Sequence, residues 1–74
     1  MLAAIPHSEA ISVKVLFDRA ARRWSITLGR RVTAAQVVMC LIDLKLARLG
    51  HDPTHLDSIV DVAGYAAVLR EVVR

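Results

Sequence analysis

The sequence predicts an all-α protein of three helices, at about residues 9–28, 34–49 and 53–72, with a helical hairpin packed into a dimeric or higher-order helical bundle. Three observations predict it. Apolar residues recur at helical spacing along nearly the whole chain. Capping signals stand where that periodicity breaks, at Ser8, Gly29, Thr33, Gly50 and Asp52. The hydrophobic content, 55% of 74 residues, is more than a monomer of this size needs.

The first helix is expected from Glu9, with Ser8 as its N-cap and Glu9 meeting the helix dipole. Val13, Leu16, Phe17, Ala20, Trp24 and Leu28 form one apolar stripe. Gly29 supplies a left-handed stop. The second helix opens on Thr33 and Gln36, whose spacing is that of a capping box. It should end at Gly50. It is apolar nearly all round, with Cys40 read as a small core residue. Such a helix is usually buried on several sides. Two other helices cannot cover it, so the expected partner is a second copy docked on residues 34–49.

The third helix is expected to start at Pro53, with Asp52 as its cap. Leu56, Ile59, Val60, Ala63, Ala67 and Val68 read as its inward face. Gly64 suggests a close helix crossing, and room for a ligand is the alternative. The chain reads as one domain over residues 1–74, with residues 1–7 a flexible lead-in.

Composition excludes several classes. A core this small rarely contributes more than about 3–5 kcal/mol without a staple. A disulfide within the chain is impossible, since Cys40 is the single cysteine. No run of about 18 residues is free of charge, so no membrane span is expected. The start, Met1 to Pro6, is short for a signal peptide and lacks basic residues, which points to a cytoplasmic protein. Net charge is +3. The basic groups Arg30 and Arg31 invite a helix-turn-helix reading, but the helix that follows offers only Thr33 and Gln36 before it turns apolar. DNA binding therefore ranks third.

The chemistry is expected where the second and third helices meet. Lys45 and Arg48 lie near the end of one helix, and Asp57 and Asp61 near the start of the next. A short connection makes these helices antiparallel, so the four groups can meet. A cation kept from water must be paired or meet an anion. Two readings follow: a salt-bridge cluster that fixes helix register, or a ligand pocket. In the pocket Lys45 and Arg48 take phosphate, Asp57 and Asp61 take Mg²⁺ or sugar hydroxyls, Tyr65 lines the wall and His55 stands at the edge. His51 and His55 with Asp57 do not match a known zinc spacing. Ser25 and Thr27 have no base at a telling spacing, and no Gly-rich phosphate loop is present.

Trp24, Ser25, Leu28, Gly29, Val32, Thr33, Leu44 to Arg48, Asp52 to His55, and the ending Asp57-Ser58-x-Val60-Asp61-x-Ala63-Gly64-Tyr65-Ala66 together resemble an uncharacterised family of small helical proteins from bacteriophages, prophages and actinobacteria. The resemblance runs from about Phe17 to Val72 and brings no assigned activity. Longer members of that family carry an acidic Asp-Tyr-Gly segment ahead of the first helix, where this chain reads Pro6 to Ser12. More distantly, the hairpin is similar to the MazG-like all-α nucleoside triphosphate pyrophosphatases. Those enzymes hold Mg²⁺ with an acidic pair on each of two helices. The likeness implies that Asp57 and Asp61 stand near the second pair. The first pair is missing, because Asp43 stands alone and Lys45 and Arg48 occupy that stretch. Together these readings suggest a phage-type accessory protein that binds a nucleotide or similar phosphate ligand, a degenerate pyrophosphatase favouring binding over Mg²⁺-dependent hydrolysis. The alternative is a structural module that forms a homo-oligomeric bundle and takes no ligand.

Overall fold

The structure is a computed structural model that describes residues 11–74. Three helices fill it: α1 (Val13–Leu28), α2 (Ala34–His51) and α3 (Leu56–Val72). The all-α expectation holds. α2 and α3 form the larger interface, and α1 packs on both.

Each boundary has a local cause. α1 begins at Val13, because the Ser12 hydroxyl accepts the Val15 N–H at 3.1 Å and caps the helix there. The Ser8 cap, the Glu9 start and the flexible lead-in lie outside the described residues. Gly29 adopts φ 68°, the left-handed conformation expected of it, and its N–H reaches the Ile26 carbonyl. The capping box is complete: Gln36 N–H donates to Thr33 Oγ1 at 3.1 Å, and Thr33 N–H donates to Gln36 Oε1 at 2.9 Å.

The α2–α3 connection departs from expectation. Gly50 stays helical and α2 runs on to His51, with Asp52 as its C-cap. Asp52 turns the chain instead of starting α3. Its carboxylate accepts the Thr54 hydroxyl at 2.7 Å and the Thr54 N–H at 3.1 Å. Those bonds, the hydroxyl's first, and nearby His55 hold the Asp52 carboxyl below its ordinary value. Pro53 also pushes the residue before it into extended backbone, which is where Asp52 lies (φ −138°, ψ 93°). α3 therefore starts at Leu56 rather than Pro53, capped by His55, whose Nδ1 accepts the Ser58 N–H at 3.2 Å.

The core is thin. The buried apolar residues among those described are Ala21, Val37, Val38 and Val72, with Val37 and Val38 at 1% and 0% exposure. Cys40 is exposed rather than buried, and it borders a cavity between α1 and α2. The inward face of α3 is not the expected one. Ser58 is fully buried, Asp61, Val62, Tyr65, Val68 and Leu69 are half-buried, and Val72 is buried. Of the expected face only Val68 turns inward. Leu56, Ile59, Val60, Ala63 and Ala67 face outward. Among the described residues nothing crosses closely at Gly64 either, since a Cβ there would meet nothing within 4 Å.

Candidate functional site

α2 and α3 run antiparallel, so the last turns of one lie beside the first turns of the other. Lys45 points across this interface and its Nζ lies 2.9 Å from Asp61 Oδ2. The two side chains are 22% and 43% exposed, so water screens the pair and its worth is about 0–1 kcal/mol. The expected meeting of basic and acidic groups thus occurs for this one pair. Among the described residues neither Arg48 nor Asp57 makes an ion pair. Asp57 is exposed in the first turn of α3, where its charge suits the positive end of the helix.

A cleft of about 400 Å³ opens along the C-terminal half of α2. Lys45, Arg48 and His51 line it together with Leu44 and Ala47. The cleft is basic on an apolar floor, which suits an anion with an apolar body. Two of the expected ligand residues, Lys45 and Arg48, line this cleft. His55, Asp57, Asp61 and Tyr65 do not, although Asp61 touches it through Lys45. Tyr65 sits half-buried on the inward face of α3. His55 spends its Nδ1 on the Ser58 backbone and hydroxyl, at 3.2 and 2.8 Å.

His51 was missed as a cleft residue. Its place one turn beyond Ala47 carried the signal, but a helix ending at Leu49 left it in the connection. The donors brought together among the described residues do not assemble a Mg²⁺ site. Asp61 is committed to Lys45, and among the described residues no three His, Cys, Asp or Glu side chains gather as a metal-holding group.

A second cavity, of about 340 Å³, lies at the α1–α2 corner, where Trp24 and Leu28 face Gln36 and Met39. Arg30 and Arg31 stand at its wall. The connection that carries them is pinned by Ser25. The Ser25 Oγ accepts the Val32 N–H at 2.9 Å and donates to the Ala21 carbonyl at 2.7 Å.

A family model described as a domain of unknown function, DUF6378, matches residues 12–73. The chain belongs to the DUF6378 family. This DUF6378 chain is also similar to the Gene 55 protein of Mycobacterium phage L5, at 38% identity over 56 residues. That match covers 74% of the chain but 36% of the phage protein, so the chain spans about a third of its relative's length. The expected likeness to a small phage-type family is thereby supported. The likeness to MazG-like pyrophosphatases is not shown by either match. No solved structure matches the DUF6378 chain. Among its described residues no helix is long and apolar enough to cross a membrane.

Proposed function

We propose that this DUF6378 chain is a phage-type accessory protein that binds a phosphate-bearing, nucleotide-like ligand in the basic cleft on α2. One observation carries the reading. Three basic side chains share that cleft, and of these three only Lys45 has a carboxylate partner among the described residues. The cleft therefore holds surplus positive charge over an apolar floor. Arg48 offers a planar fork that matches phosphate oxygens, and Lys45 and His51 add donors on either side. Binding without turnover is favoured, because among the described residues the carboxylates do not assemble into the several-ligand set that metal-assisted phosphate hydrolysis requires. No step is routed through Mg²⁺, which enters only as an arm of the experiment.

The experiment is a thermal-shift screen of the whole chain against nucleoside triphosphates and cyclic dinucleotides, with and without Mg²⁺ or Mn²⁺. A ligand at a hundredfold excess over Kd should raise Tm on the order of 10 °C in a domain this small. Arg48→Ala should abolish the rise while helical content, read by circular dichroism, is unchanged. A folded protein with no shift, or a shift that Arg48→Ala leaves intact, refutes the reading.

A second reading has its own observation. Leu56, Val60, Ala63 and Ala67 lie at spacings of four, three and four residues, and all are exposed, Leu56 and Val60 at 67% and 57%. Cys40, Leu44, Ala47 and His51 repeat those spacings on α2, also exposed. Two such seams on one hairpin suit a bundle built from two copies. In this reading the Lys45–Asp61 pair serves only to hold the hairpin in register.

A further inference from the structure

We propose that the α1–α2 corner is a separate binding site for a small aromatic phosphate. It stands apart from the α2 cleft and does not rest on the reading given for it. The cavity, about 340 Å³, is of small-ligand size. Its walls combine three kinds of chemistry. Trp24 offers a half-buried indole, Leu28 and Met39 give an apolar floor, and Arg30 and Arg31 bring two guanidinium groups to the wall. Adjacent like charges repel, and among the described residues no carboxylate pairs with either arginine. An anion seated in the cavity offsets that like charge, and phosphate oxygens match the fork of either guanidinium. The indole and guanidinium faces are the surfaces on which an aromatic ring stacks.

The site is also built in advance. Gly29 closes α1, and the Arg30 N–H reaches the Ser25 carbonyl at 3.2 Å. Ser25 holds Val32, and the Thr33–Gln36 box fixes the start of α2. The arginines thus project from a connection held at both ends, and a ligand pays little to order it. The same bonds argue against DNA reading. Thr33 Oγ1 and Gln36 Oε1 are committed to backbone N–H groups, so the start of α2 offers few free groups to base edges.

Trp24 is the single tryptophan, so its emission reports on this corner alone. Phenyl phosphate titrated into the whole chain should change that emission saturably, and inorganic phosphate should compete at higher concentration. The Arg30→Ala/Arg31→Ala variant should lose about tenfold or more in affinity with helical content intact. Arg48→Ala, in the other cleft, should leave the response unchanged. Cys40 borders the same cavity and is exposed, so phenyl phosphate should slow its alkylation by iodoacetamide in the unaltered protein. The proposal is overturned by the absence of a saturable emission change, by a response that survives loss of both arginines, by an unaltered alkylation rate, or by a response to duplex DNA alone. A nucleotide-induced thermal shift that depends on Arg48 concerns the α2 cleft and leaves these outcomes separate.

Discussion

Ser25 is the side chain whose role exceeds what its type suggests. The sequence offers it as a hydroxyl without a base. Its work is structural: one oxygen accepts the Val32 N–H and donates to Ala21, tying the end of α1 to the start of α2. That bond spans seven residues, a separation that no local capping rule covers. Ser25→Ala leaves a part-buried N–H without its partner, which costs about 1–3 kcal/mol. Against a total of about 3–5 kcal/mol for a core of this size, that is a large share. Urea denaturation should show a clear fall in midpoint. Unchanged stability would mean that water replaces the hydroxyl.

Helix ends were legible wherever a local signal acts alone. Gly29 and the Thr33–Gln36 pair stand where their spacing put them. The α2–α3 connection was not, because Asp52, Gly50 and Pro53 each have two uses. Asp52 serves equally as a cap or as a turn, and the Thr54 hydroxyl decides for the turn. The face of α3 was illegible for a different reason. Apolar residues lie nearly all round this helix, so periodicity names no inward side. Its contacts with α2 instead follow a buried serine and an ion pair, and Tyr65 belongs to that face. Hence Lys45 and Asp61 were found from the sequence while the hydrophobic face was misplaced. Gly64 tests the arrangement. With open space at its Cβ, Gly64→Ala should stabilise α3 by about 1 kcal/mol, the helix-propensity difference, in thermal melts of dilute protein. A loss of stability would show that another surface approaches that glycine.

The described residues, taken together, hide little from water. Among the described residues, thirteen large hydrophobic side chains are exposed, against four buried apolar ones, of which two are entirely enclosed. A core so small contributes little alone, and the outward seam on α3 supplies the apolar surface that a second copy would cover. Val60→Asp puts a charge at the middle of that seam, where in a single chain it is solvated and nearly neutral in effect. Sedimentation velocity should show the unaltered chain associating as concentration rises and the Val60→Asp variant remaining a monomer of lower stability. A chain that stays monomeric and stable at every concentration excludes the bundle reading.

His55 carries a consequence for any chemistry near the hairpin's tip. Its Nδ1 accepts the Ser58 N–H, so in the neutral ring that nitrogen's lone pair is occupied and the proton resides on Nε2. The tautomer is therefore set by the helix start rather than by whatever approaches from outside. Toward an incoming molecule the imidazole presents a hydrogen-bond donor and no free basic nitrogen. A role in abstracting a proton would first require the imidazole to give up its cap on the first turn of α3.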